Sequence, residues 1–318
     1  MSSLHLMKLN QLTQAMSRYF ANYLLAIGLL GSMSALAQEA VLNTPMWVNK
    51  GLFNPSYVGG EQDQRFGVML TSKKLWSGIH GSPQMLGLAF DKNLGKQHAL
   101  GIQAMSHQYA TMGYTSVAVP YVFKVPFTRE SGLTFGLAPK ITNAALDLSK
   151  ITDPASLDVV PTVPNVTFLD AVFGAHYHAG EFFQAGFFAG NFLINGSIDP
   201  NDIINYTNYS TTVFGGDVSV RLPQTRNRPV GVYFDANVKS NDYTPAIAEV
   251  HTRFVQKGNG VGLGYRSNGE INFSLELGDM RSFRIYYVYS HVPAFLNQFT
   301  FGTHQIAFQM LSFKNSKS

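Results

Sequence analysis

The chain has 318 residues, 23 of them Lys or Arg and 19 Asp or Glu, for a net charge of +4. Charged residues are 13% of the total, about half the quarter usual for a soluble domain, and the small basic excess forms no stripe that would grip nucleic acid. There is no cysteine, which excludes disulfides, thiolate chemistry, Cys-ligated zinc or iron–sulfur centres and a lipid-modified cysteine at a cleavage site.

The N-terminus carries Lys8 and Arg18, then the apolar run Leu24-Leu25-Ala26-Ile27-Gly28-Leu29-Leu30. Ala35-Leu36-Ala37 follows, with small residues at the two positions a signal peptidase reads. Residues 1–37 are therefore expected to be a signal peptide cleaved before Gln38. The apolar run is too short for the roughly 20 residues of a spanning helix. Residues 38–64 read as an irregular segment, since Asn54-Pro55-Ser56-Tyr57-Val58-Gly59-Gly60 fixes one dihedral at Pro and permits positive φ at the glycines. The sequence leaves open whether this segment fills the lumen or lies in the periplasm.

From Arg65 onward apolar and polar residues alternate with a period of two, the pattern of a strand with one oily and one wet face. Phe66, Val68 and Leu70 share a face; so do Leu86, Leu88 and Phe90, then Leu100, Ile102 and Ala104. Thr115, Val117, Val119, Tyr121 and Phe123 make one long stripe, followed by Leu133, Phe135 and Leu137. The strands at 166–178 and 183–192 have apolar side chains on both faces, and Phe168 and Phe188 suggest a filled interior. The strictest case is Val230 to Lys239: Val230, Val232, Phe234, Ala236 and Val238 alternate with Gly231, Tyr233, Asp235, Asn237 and Lys239. Glu249, His251 and Arg253 then oppose Ala248, Val250 and Phe254, and similar alternation continues through Ile306, Phe308 and Met310.

The fold expected is all-β: a transmembrane antiparallel β-barrel over residues 65–313, closed by about 14 strands, with 12 or 16 possible. A polar tail at 314–318 would follow. If the first strand runs outward, the outer connections include the three longest, 147–165, 193–210 and 291–303. The inner ones, such as 179–182, 256–259 and 278–282, are short, which is the barrel asymmetry. The outer connections 241–245 and 267–270 are short as well, so the rule holds only on average. A soluble β-sandwich would show the same apolar rows. The signal peptide, even strand count and loop asymmetry together favour the barrel, with outer-membrane lipid against its oily face.

Little in the chain points to chemistry. His176 and His178 share a strand face with Asp170, but no third ligand stands at convincing spacing, and two polar lumen side chains explain them. Gly258-Asn259-Gly260-Val261-Gly262-Leu263-Gly264 lies along a strand, so its glycines make room or curvature rather than a phosphate cradle. Asn165-Val166-Thr167 and Asn205-Tyr206-Thr207 match a glycosylation sequon that carries almost no weight in a bacterial outer-membrane protein. Nothing singles out His98, Ser106 or any other nucleophile–base pair. The reading is a non-enzyme with no catalytic, cofactor or metal residues. The sharpest local signal is Trp76-Ser77-Gly78-Ile79-His80-Gly81-Ser82-Pro83 in the first outer connection, a shaped turn. It fits a partner contact or an interfacial Trp above a tight turn.

Four motifs, in order and with fitting spacing, resemble the PorP/SprF-like outer-membrane proteins of the type IX secretion system and gliding machinery. The family's Asn-Pro-Ala-Tyr-Ala-Gly is matched by Asn54-Pro55-Ser56-Tyr57-Val58-Gly59. Its Trp-x-Gly-x-x-Gly-Ala-Pro turn is matched from Trp76 to Pro83, with Ser82 for Ala. Gly-x-x-Tyr-Arg is matched by Gly262-Leu263-Gly264-Tyr265-Arg266, and Gly-Ser-His-Glu-Ile by Gly302-Thr303-His304-Gln305-Ile306. The chain also departs at Leu75, and Tyr289-Ser290-His291-Val292 stands where Tyr-Ser-Tyr-Asp is common, so no role resting on that acidic residue transfers. The resemblance implies a barrel that helps export or anchor a secreted surface adhesin by holding its C-terminal domain. It also implies a periplasmic or outer-membrane lipoprotein linking the barrel to trans-envelope machinery. Candidate contact residues are then Asn54, Pro55, Tyr57, Gly59, Trp76, Gly78, Gly81, Pro83, Tyr265, Arg266, Gly302 and His304. The alternative is a channel or transporter for small solutes, its lumen lined by Glu249, His251 and Arg253.

Overall fold

The computed structural model describes residues 44–60, 64–109, 112–128, 130–146, 165–190, 212–222, 225, 229–241, 246–279, 282–292 and 299–313. The expected signal peptide with its cleavage before Gln38, the 314–318 tail and most of the three long outer connections lie outside these residues. The strands are β1 (Gln64–Lys74), β2 (Gln84–Asn93), β3 (His98–Tyr109), β4 (Met112–Ala118), β5 (Tyr121–Pro126), β6 (Ser131–Leu146), β7 (Asn165–Ala179) and β8 (Phe183–Gly190). They continue with β9 (Val213–Leu222), β10 (Gly231–Asn241), β11 (Ile247–Gln256), β12 (Asn259–Arg266), β13 (Ile271–Gly278), β14 (Phe283–His291) and β15 (Thr303–Phe313).

Strands pair antiparallel with their neighbours in sequence, except that β4 and β5 both lie between β3 and β6, and β1 pairs with β15, so the sheet closes on itself. The long stripe from Thr115 to Phe123 is interrupted at Val119-Pro120, because proline has no N–H to give the ladder. Both pieces keep one register on β6, from Met112↔Leu146 to Pro126↔Gly132. The Val119 amide donates to Pro139 O at 3.0 Å and the Gly101 amide to Pro120 O at 2.8 Å. β4 and β5 are thus one stave, and the barrel has 14. In hydrocarbon an open edge would leave a row of unpaired amides, each costing several kcal/mol, so closure is what makes the sheet viable.

The distribution of side chains is inverted relative to a soluble protein. Leu70, Leu88, Val261, Leu263, Phe273 and Ile306 stand outward and exposed, while Lys73, Asp235, Lys239, Glu249, Arg253 and Arg266 are buried inside. Along β10 the lumen takes Asp235, Asn237 and Lys239 and the lipid face takes Val238, as the alternation predicts. Tight turns close the inner end. Lys257 and Gly258, at φ 51° and 84°, form the two-residue hairpin between β11 and β12.

Residues 44–60 run through the lumen rather than below it. The Thr44 carbonyl accepts from Lys239 Nζ at 2.5 Å, near the outer end of β10. Lower down, Trp47 packs with Met69, Tyr286, Val288 and Ala307 from three staves. At the inner end Asn93 Nδ2 donates to the Gly59 carbonyl at 2.7 Å. Two short 3-10 turns, Lys50–Leu52 and Pro55–Tyr57, are capped by the side chains of Asn49 and Asn54.

Candidate functional site: the filled lumen and the outer rim

The Asn54-Pro55-Ser56-Tyr57 turn is seated on a lane of glycines. Gly136 on β6 faces Gly174 on β7, and Gly186 on β8 pairs with His176 beside them. A Cβ at Gly136 would overlap the Ser56 backbone, and one at Gly174 would overlap Asn54 Oδ1. At Gly186 it would lie 2.7 Å from Tyr57 Oη. Those staves lack side chains there because the turn occupies the space. Asn54, fully buried, accepts from the Ser56 amide at 3.0 Å and donates to the Phe187 carbonyl at 3.1 Å. His176 stacks on Tyr57 with centroids 4.2 Å apart, and its Nδ1 lies 3.0 Å from Ser56 Oγ. Its place is therefore a plug contact, with His178 6.0 Å away, ring to ring.

The adjoining wall, on β9 to β11, is charged. Lys50 Nζ donates to Asp217 Oδ2 at 2.7 Å and to Ser219 Oγ at 2.5 Å, and lies 3.8 Å from Asp235 Oδ1. Tyr57 Oη donates to the same Asp217 oxygen at 2.8 Å. Asp235 in turn pairs with Arg253 at 3.2 Å, and Arg253 with Glu276 at 3.0 Å. Trp47 lies over this network, stacked on His251 at 4.4 Å and 4.6 Å from the Arg253 guanidinium carbon. Gly262 and Gly264 leave room for the His251 ring, which a Cβ at either would meet.

The outer rim is built differently. Trp76, at φ 45°, Gly78, at 99°, and Gly81, at 71°, fold the β1–β2 connection, and the Leu75 amide closes it on the Pro83 carbonyl at 2.9 Å. The turn is bonded to the chain entering β15: Ser77 N to Gly302 O and Phe301 N to Ser77 O, both 2.7 Å. Gly78 lacks a Cβ where the Phe301 ring would sit 3.0 Å away. Phe299 and Phe301 are 64% and 76% exposed beside it. His304 is half-buried on the outward face, its Nδ1 2.8 Å from Tyr287 Oη.

The twelve motif residues thus fall into three groups. Asn54, Pro55, Tyr57 and Gly59 face inward, against the wall. Trp76, Gly78, Gly81, Pro83, Gly302 and His304 meet at the β15–β1–β2 rim. Arg266, fully buried, pins the β12–β13 turn through Glu270 at 2.6 Å and Glu249 at 3.4 Å, while Tyr265 beside it is half-buried. Sequence reasoning missed Trp47, Lys50, Asp217 and the lane of Gly136, Gly174 and Gly186. The lane left one signal, glycines inside strand patterns, which mark close backbone approach.

The sequence profile of the family described as type IX secretion system membrane protein PorP/SprF matches residues 35–310. No curated protein matches the chain. Among solved structures, the toluene transporter TbuX of Ralstonia pickettii is 11% identical with a TM-score of 0.47, over 82% of this chain and 92% of that one. The outer membrane protein Omp33 of Acinetobacter baumannii is 8% identical with a TM-score of 0.46, over 80% and 99%.

Proposed function

Because the chain belongs to the PorP/SprF family of type IX secretion system membrane proteins, we propose that it holds the C-terminal domain of an exported surface protein at its outer rim. In this reading it is a non-enzymatic outer-membrane component, coupled to the trans-envelope machinery through a periplasmic or outer-membrane lipoprotein. One observation carries it. The 76–83 turn is fastened to the chain entering β15 and leaves Phe299 and Phe301 exposed, on a rim made rigid by four main-chain and side-chain bonds to Ser77 and Trp76. Rigid, exposed aromatics give a partner apolar contact at low ordering cost.

The competing reading, a channel for small solutes, has the charged lumen wall in its favour. The lumen, however, holds residues 44–60 along its length, which weighs against an open channel. Exchanging Phe299 and Phe301 for Ser in the cell tests the proposal. Surface display of one exported protein should fall while the barrel still inserts and permeability is unchanged. Undiminished display would overturn it.

A further inference from the structure

The segment filling the lumen is bonded to itself, not to the sheet. Its main-chain hydrogen bonds run Val48 to Pro45, Leu52 to Asn49, Phe53 and Asn54 to Lys50, Tyr57 to Asn54, Val58 to Pro55 and Gly60 to Tyr57. Among the described residues, no strand shares a main-chain bond with it. Its ties to the wall all involve side chains: Lys50, Asn54, Ser56 and Tyr57 of the segment, and Lys239, Gln103, Asn93 and Lys124 of the wall. The segment could therefore leave without breaking a single rung of the ladder.

The wall is also prepared for that departure. Asp235 keeps Ser219 and Arg253 when Lys50 goes, and Arg253 keeps Glu276. Asp217 loses Lys50 and Tyr57, and Lys239 loses the Thr44 carbonyl and the Phe53 ring; water entering the lumen can solvate both charges. Met46, Trp47 and Phe53 are buried in the seated state, and their return to water is what keeps the segment in place at rest. The exit has a direction. Thr44 lies at the outer half, but the covalent joint runs from Gly60 through residues 61–63 to Gln64 at the inner end. A body tied there swings free only toward the periplasm.

We propose that residues 44–60 are a dissociable plug: a folded peptide ligand of the lumen, seated on the Gly136–Gly174–Gly186 lane and the adjoining Asp217–Asp235 pair, which leaves through the inner end while the barrel stays closed. Its departure opens a water-filled conduit, so the same chain has a sealed and a conducting state. This goes beyond the rim contact proposed above and does not depend on it.

The native chain, free of cysteine, allows a direct test on the full-length protein in planar bilayers. A Cβ at Gly101 lies 2.9 Å from Val58 Cγ1, so Val58→Cys with Gly101→Cys should lock the plug when oxidised. The oxidised protein should stay silent and the reduced one show openings. Lys50→Met should raise open probability about tenfold, the shift expected when a charge-assisted hydrogen bond is lost. In a Ser56→Cys protein, maleimide-polyethylene glycol should trap the open state from the inner chamber and not from the outer. Heat-modifiable migration in gels confirms that each variant is a folded barrel, and Lys50→Gln replaces Lys50→Met if the latter is not. Equal conductance of oxidised and reduced protein would overturn the proposal. So would silence in the folded Lys50 variant, or trapping from the outer side.

Discussion

Two ion networks lie buried in one lumen, and they do different work. Arg266 with Glu249 and Glu270 is made by the wall alone, joining β11, β12 and the turn into β13. Lys50 with Asp217 and Asp235 is shared between the wall and the threaded segment. The first holds staves in register at the outer rim; the second holds a body that is not part of the sheet. Burial and charge are alike in both, so neither distinguishes architecture from occupant. What distinguishes them is whether the network closes within the barrel. The two tryptophans report the two regions separately, since Trp47 lies in the plug and Trp76 on the rim.

The largest expected effect comes from breaking the wall's own network. Arg266→Met removes the guanidinium that pairs with both Glu249 and Glu270 in a buried site. Removing one partner of a buried ion pair costs about 3–5 kcal/mol. Urea unfolding in detergent should show it, and Trp76 emission in a Trp47→Phe background should shift at lower urea than the parent. If replacing all three residues with apolar ones of similar volume restored stability, the network would be specifying register rather than supplying net energy.

A smaller effect should come from the seat of the plug. Gly174→Val puts a branched side chain where Asn54 Oδ1 lies, whereas Gly113→Val meets only the Ala145 carbonyl, at 3.9 Å. Overpacking a filled site costs about 1–3 kcal/mol. A valine in an open strand position should change stability by no more than about 0.5 kcal/mol. Trp47 emission in a Trp76→Phe background should report displacement for Gly174→Val and none for Gly113→Val. Equal behaviour of the two would mean that the lane is not a seat.

The shared network should show the next effect as coupling. Lys50→Met leaves Asp217 with Tyr57 as its remaining partner, while adding Asp217→Asn removes the stranded charge. Residues in one hydrogen-bonded network couple by about 0.5–3 kcal/mol, so the double variant should be more stable than the two single losses predict. Barrel unfolding read at Trp76 should barely move in either single variant if the plug is a separate body. A matching shift at both tryptophans would make plug and barrel one cooperative unit.

How much of this was written in the sequence follows from the range of each interaction. The alternation at Val232 to Val238 fixes its own faces locally, so strand direction, the even count and the lipid-facing rows were legible. Phe168 and Phe188 pointed to a filled interior, and both are buried there. The occupant itself was not legible. Lys50 meets Asp217 across 167 positions, and no local pattern encodes which of 29 glycines faces another backbone. Asn54 and Tyr57 were recognised by family resemblance, yet that resemblance does not say whether a motif faces inward or outward. Arg266 looked like a surface contact for the same reason; its burial depends on Glu249, which a hairpin brings opposite it.

The smallest expected effect on the fold is at the rim, and it separates structure from function most cleanly there. Phe299 is 64% exposed, so Phe299→Ser removes little buried surface, and stability should stay within about 0.5 kcal/mol of the parent. Trp76 emission should be unchanged, because the bonds joining Ser77 to Gly302 and Phe301 are main-chain ones. Surface display of the exported partner should nevertheless fall, since exposed aromatics contribute to binding rather than to folding. The contrast with Arg266→Met is then one of kind: one variant weakens the barrel, the other keeps its stability and loses only its partner. A Phe299→Ser barrel that unfolds early would show that the rim is holding the sheet, and would remove it as a docking surface.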